Sequence, residues 1–230
     1  MNFLANWFGL GAAPAVPLRT RIAAWRDLPQ PSLETPFTAA RYVVLDTETS
    51  GLNPARDRLL AIGAVTLEAQ RVMVADGFES TLRQSRPSDR TNILLHGIGE
   101  AAQREGEDTG AALLRFLEYA GKSPLFAYHA PFDRAMLDRA LHASLGIKLR
   151  LPWLDLAAVL PALFGERPHQ ALDFWLERFG IDTPVRHSAL GDAFATAQLA
   201  QIALHQAQSG GLLHFKALSH LARDARWLAR

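Results

Sequence analysis

Apolar positions along the chain change their period partway through. Between Tyr42 and Leu82 they come as the runs YVVLDTE, LLAIGAVTL and RVMVADGFESTL, separated by Gly, Asn, Asp and Pro turn signals. Runs of this length predict three strands joined closely enough for a meander. From residue 108 the spacing lengthens. Asp108-Thr109 can cap a helix through LLRFLEYA, with Leu113, Leu114, Leu117 and Ala120 on one side and Gly121 as its stop. PLFAYH reads as a fourth strand. Pro131 then stands where a helix would begin, and Met136, Leu137, Ala140 and Leu141 recur at helical spacing until Gly146. Two further helices are predicted, HQALDFWLERF ending at Gly180 and LGDAFATAQLAQIALHQ ending near Gly210. Strands followed by helix, strand and helix give a mixed sheet with helices packed on it, an α/β or α+β domain.

The two ends differ from this centre. Residues 1–40 carry five prolines around one short helical piece, LRTRIAAWRDL, and read as an arm leading into a domain at 41–207. Trp7-Phe8 could hook a partner or membrane, although an arm folded back on its own core is the simpler expectation. In residues 208–230, KALSHLARDARWLAR places Leu218, Leu221, Ala225 and Leu228 on one face and Arg223, Arg226 and Arg230 elsewhere. Such a basic amphipathic helix can lie on nucleic acid, or dock on the domain with a solvated basic face.

Composition narrows the classes. A chain of 230 residues with 49% hydrophobic and 20% charged residues is globular and sized for one domain with extensions. The net charge of +1 makes no case for or against nucleic acid, so any binding footprint must be local. Only Lys122, Lys148 and Lys216 among 24 basic residues are lysine, and arginine suits phosphate. The absence of cysteine excludes disulfides, thiolate metal sites and a cysteine nucleophile. The start makes a poor signal peptide, its first positive charge being Arg19, and no apolar run approaches the roughly 20 residues of a membrane span. A cytoplasmic location is expected.

Chemistry concentrates in YVVLDTETSGL. Asp46 and Glu48 follow an apolar strand at once, and two carboxylates leaving water cost several kcal/mol each without compensation. Two residues apart on a strand, they project to one face and can share a ligand. A divalent cation would relieve their repulsion, and oxygen ligands of this kind suit magnesium or manganese. Further carboxylates should converge, and two stand at element starts: Asp133 in YHAPFDRAML and Asp192 in HSALGDAFATA. The small residues Gly191, Ala193, Ala195 and Ala197 would let the second helix press closely on a strand. His187, five residues before Asp192, adds a base of the type that titrates near neutrality.

In order and spacing, LDTETSGL with DRLLAIGAV, then HAPFD, then HSALGDA resemble the three motifs of the DEDDh (DnaQ-like) 3′→5′ exonucleases, the family of the proofreading epsilon subunit of bacterial DNA polymerase III. The resemblance spans about residues 41 to 205. It implies a ribonuclease H-like fold with a five-stranded mixed sheet flanked by helices. It further implies two divalent cations, Mg²⁺ or Mn²⁺, held by Asp46, Glu48, Asp133 and Asp192, with His187 as general base. The implied reaction releases nucleoside 5′-monophosphates from DNA 3′ ends, with single-stranded DNA or 3′ ends as the nucleic-acid partner. By the same resemblance Thr49 holds the terminal 3′ hydroxyl through its backbone, Leu52 wedges against the terminal base, and Phe132 and His96 contact substrate. Leu52 and Phe132 could equally be core residues. Two positions depart from the family pattern: Tyr128-His129 replace its His-Asn, and Gly99 stands where threonine is common. RNA in place of DNA, or a non-catalytic polymerase-associated binding module, stays open, and nothing in the sequence supports association with a polymerase.

Overall fold

The computed structural model describes residues 17–183 and 187–228, the last three through the backbone alone. Three long strands, β1 (Arg41–Thr49), β2 (Leu59–Glu68) and β3 (Arg71–Thr81), form the antiparallel meander read from the pattern. The β2–β3 turn is Ala69-Gln70, both with positive φ, which matches the twist of a two-residue hairpin. Two short strands extend the sheet in parallel, β4 (Leu125–Ala127) beside β1 and β5 (Trp153–Asp155) beside β4, giving the order β3-β2-β1-β4-β5.

Around the sheet run α1 (Leu18–Asp27), α2 (Arg90–His96), α3 (Glu100–Glu105), α4 (Thr109–Ala120), α5 (Ala130–Leu145), α6 (Leu156–Phe164), α7 (Leu172–Phe179), α8 (Ala189–Ser209) and α9 (Phe215–Leu228). The Asp108 carboxylate caps α4 by accepting the Ala111 N–H at 3.0 Å. Gly146 ends α5 with φ +64°, a conformation glycine adopts without penalty.

Because β1 is central, both its faces are covered and its apolar run does not alternate with polar residues. Tyr42 and Val44 join one core cluster with Phe126, Leu199 and Leu204; Val43 and Leu45 join another with Leu113, Leu137 and Leu141. The first cluster is built by α6 to α9, the second by α1, α4 and α5. Both end helices belong to these clusters. On α1, Trp25 donates its indole N–H to the Gly121 carbonyl at 2.8 Å and lies 3.4 Å under the Lys122 ammonium. On α9, Phe215, Leu218 and Ala222 are buried. The arm's helix is thus folded back on the core, and the C-terminal helix is docked. Trp7-Phe8 and Arg230 lie outside the described residues, as do the side chains of Arg226 and Leu228.

Four elements have no counterpart in the pattern: β5, α2, α3 and α6. β5 and α3 are too short to show a period. In α6, LAAVLPALF is apolar all round with Pro161 inside, and α2 turns Leu94 and Leu95 outward at 76% and 56% exposure. No described helix is long and apolar enough to cross a membrane.

Candidate active site

The alternation of β1 assigns its acids to faces. Asp46 and Glu48 continue the Tyr42/Val44 face, while Thr47 continues the Val43/Leu45 face. On the first face lies α8. In the β1–β2 register Asp46 stands opposite Gly63, the point where α8 begins. A Cβ on Gly63 would lie 2.0 Å from the Ala189 carbonyl carbon and 2.2 Å from the Leu190 nitrogen, so only glycine lets helix backbone touch strand backbone there. Ala193, Ala197 and Ala200, all fully buried, keep the approach close along the helix. Asp192, in the first turn of α8 and 7% exposed, is thereby delivered to the strand's end. Carboxylate oxygens of Asp46, Glu48 and Asp192 lie within 4.8 Å of one another.

Three like charges at that separation repel, the more so half-buried, unless cationic charge comes between them. An all-oxygen donor set of this size fits a hard divalent ion. Asp192 is further fixed by the His187 backbone N–H, which it accepts at 3.1 Å. His187 reaches that position through a positive φ of 58° and exposes its side chain to solvent.

Asp133, expected with these acids, lies outside this 4.8 Å group. It sits in the first turn of α5, on the other face of β1, and its Oδ1 accepts the Thr47 hydroxyl at 2.7 Å. The cause is parity: Thr47 is one residue from Asp46 and so points the opposite way. At 4% exposure, burial pushes the Asp133 carboxyl up to about 7, against the downward pull of the Thr47 hydrogen bond. Asp155, which the sequence reading missed, positions this corner. Its Oδ1 accepts the N–H groups of Ala130 and Ala157, both at 3.2 Å, joining the start of α5 to the start of α6. An acid between an apolar strand and a helical run, as in LPWLDLAAVL, is the capping signal that could have found it.

A register shift between Glu48 and Thr49 bends the strand out into the loop 50–58. The Thr49 hydroxyl donates to the Gly51 carbonyl at 2.8 Å, and Asp57 accepts the Asn53 N–H at 2.8 Å and the Ser50 hydroxyl at 3.3 Å. On this tied loop Leu52 stands 88% exposed, which rules out the core alternative for it. Phe132 is half-buried against the α4–α5 cluster. His96, expected at the substrate, is 4% exposed with both ring nitrogens engaged inside the protein. Nδ1 accepts the Ile98 N–H at 2.9 Å, and Nε2 faces Asn92 Oδ1 at 2.8 Å. That setting is structural. Tyr128, one of the two departures from the family pattern, donates its hydroxyl to the Gln170 carbonyl at 2.7 Å. A cavity of about 700 Å³ lies between α6 and α9 and contains none of the three clustered carboxylates.

A five-stranded mixed sheet of ribonuclease H-like architecture, with carboxylates gathered at the end of its central strand, defines the class as a nuclease fold. The exonuclease family model RNase_T matches residues 43–200, and the chain belongs to this DnaQ-like exonuclease family. It is 33% identical over 188 residues to a DNA polymerase III subunit epsilon-like protein of Rhodobacter capsulatus, covering 80% of this chain and 27% of that one. A PolC-type DNA polymerase III of Thermotoga petrophila is 30% identical over 168 residues, 73% of this chain and 12% of the relative. The chain therefore spans about a quarter and about an eighth of these relatives' lengths. Among solved structures, the zinc-bound E. coli ExoI–ssDNA complex superposes with a TM-score of 0.64 at 20% identity, covering 76% of this chain and 42% of that one. Exonuclease X in complex with 5′ overhanging duplex DNA gives 0.61 at 18% identity, covering 80% and 99%.

Proposed function

We propose that this protein is a DEDDh-type 3′→5′ exonuclease that removes nucleoside 5′-monophosphates from DNA 3′ ends. The observation that carries the reading is the convergence of Asp46, Glu48 and Asp192 within 4.8 Å, with His187 tied to Asp192 by its backbone. The complexes of exonuclease I with single-stranded DNA and of exonuclease X with a DNA duplex favour DNA as the substrate.

When bound, two magnesium or manganese ions would supply Lewis acidity and charge neutralisation at the scissile phosphate, held by the three clustered carboxylates with Asp133 completing the set. The chain's own groups do the rest. His187 accepts the proton of the attacking water, whose oxygen bonds to phosphorus as the P–O3′ bond breaks and the new 3′ hydroxyl takes a proton from solvent. An exposed imidazole can pass its proton to solvent afterwards. The backbone at Thr49 holds the terminal 3′ hydroxyl, Leu52 meets the terminal base from its loop, and Phe132 packs beside the same nucleotide.

The test is digestion of 5′-labelled single-stranded DNA, of a duplex with a mispaired 3′ end and of matching RNA, each with Mg²⁺, Mn²⁺ or EDTA. Wild type should give a ladder shortening from the 3′ end, abolished by EDTA and strongly reduced in His187→Ala, with DNA degraded faster than RNA. Faster loss of RNA would reassign the substrate. No metal-dependent shortening of any substrate would overturn the reading.

A further inference from the structure

Beside the loop that carries Leu52, a groove of about 300 Å³ is lined by Arg56, Arg58, Arg83 and Arg139 and by no carboxylate. Acids on the same elements are turned away from it. Asp57, between two of the arginines, accepts hydrogen bonds inside its own loop, and Asp138 pairs with Arg134 at 3.7 Å and accepts the Leu149 N–H at 3.2 Å. None of the four arginines is ion-paired among the described residues. Arg58 is braced on the carbonyls of Arg86 and Pro87, and Arg83 on that of Gly106. Each guanidinium has five N–H donors, so most remain available. Four like charges converging without an acid repel one another unless an anion joins them.

The groove's place says which anion. Its floor includes Met136, Arg139, Ala140 and Ala143, one face of α5. Asp133 begins that helix, so the groove leads away from the Asp133 corner for about 15 Å at ~1.5 Å per residue. Arg56 and Arg58 close the loop that opens at Thr49. The groove shares Arg83, Gln84 and Thr109 with a second cavity that contains Asp108, where the purely basic lining stops. A run of this length can contact more than one phosphate of a strand.

We infer that the groove is the track for the phosphate backbone of the digested strand upstream of its reacting 3′ nucleotide, with Arg56, Arg58, Arg83 and Arg139 as its phosphate contacts. This rests on the function proposed above and adds where the rest of the strand runs. Affinity then depends on substrate length, and on salt through the counterions that the arginines displace.

The experiment is fluorescence anisotropy in EDTA with 5′-labelled dT2, dT8 and an eight-base-pair duplex across a salt series. It compares wild type with Arg56→Ala/Arg83→Ala/Arg139→Ala and with the same three positions changed to Lys. Wild type should bind dT8 much more tightly than dT2. The alanine variant should lose that length dependence and at least about tenfold in dT8 affinity, with the log-log salt slope falling by about 2, since each single-strand contact contributes ~0.7. The lysine variant, which keeps the charge, should regain most of the slope, as a misfolded protein would not. An unchanged slope for dT8 in the alanine variant, or a loss confined to the duplex, overturns the assignment. Hydrolysis of dT2 by wild type with Mn²⁺ is scored separately: its absence counts against the proposed function, whereas the groove is judged on the salt slope.

Discussion

The two faces of β1 handle buried acid in opposite ways. On the α8 side, Asp46, Glu48 and Asp192 bring three carboxylates within 4.8 Å of one another, an oxygen donor set suited to a divalent cation. On the α5 side, Asp133 is more deeply buried, accepts the hydroxyl of Thr47, and has its pKa raised to about 7, chiefly by burial. Strand parity separates the cases: Thr47 sits between the two acids of β1 and faces the other way. One strand of nine residues thus presents two clustered carboxylates on one face and, on the other, a hydroxyl that donates to the Asp133 carboxyl of α5.

The largest effect should come from the clustered side. Asp46→Asn is expected to lower exonuclease turnover by on the order of 10³ or more, corresponding to several kcal/mol of transition-state stabilisation. Magnesium or manganese at about 100 times its dissociation constant should stabilise wild type by roughly 2.7 kcal/mol, seen as a raised Tm, and this rise should largely vanish in Asp46→Asn. A rise of equal size in the variant would break the comparison. Next comes the device that brings the helix in. Gly63→Ala forces α8 off the strand, so we expect a loss of about 3 kcal/mol in urea unfolding, together with a weaker metal-induced rise in Tm. If the variant melts like wild type, the close approach does not position Asp192.

A smaller change is expected on the other face. Thr47→Val keeps the shape of the side chain and removes the donor to Asp133, costing about 1–2 kcal/mol in chemical denaturation while leaving most of the metal-induced Tm rise. Loss of that rise would show that the Thr47 hydrogen bond, and not only the presence of Asp133, is needed for metal binding. The smallest effect calibrates burial away from both. His96 has its pKa held below the ordinary 6.5 by desolvation, so the unfolded chain takes up a proton where the folded one does not. Stability from this group is therefore present above pH 6.5 and is lost as pH falls toward the lowered folded value. The urea midpoint of wild type should drift down between pH 7 and pH 5, and that of His96→Gln should drift less.

Much of this arrangement was legible in the chain. The meander, the cap at Asp108, the stops at Gly121, Gly146, Gly180 and Gly210 and the small-residue helix around Asp192 are local signals, and local signals follow from backbone sterics and periodicity. The convergence of Asp46, Glu48 and Asp192 was legible, because acids at the ends of apolar elements are costly enough to need a reason. Elements of three to seven residues, such as β5, α2 and α3, carry too few positions for a period to register. Asp155 was hidden for the same reason, since its strand was not recognised.

By itself, then, the sequence determined which residues had to find compensation: Asp46 and Glu48 after a buried strand, with Asp133, His187 and Asp192 at element starts. Tertiary structure alone decided their grouping. Three acids share one face of β1 because α8 can touch β2 at a glycine, and the fourth faces Thr47 because α5 covers the other side. Leu52 turned out exposed and His96 buried for a related reason. Exposure depends on what the rest of the chain stacks against a residue, and that long-range packing is written in no local pattern.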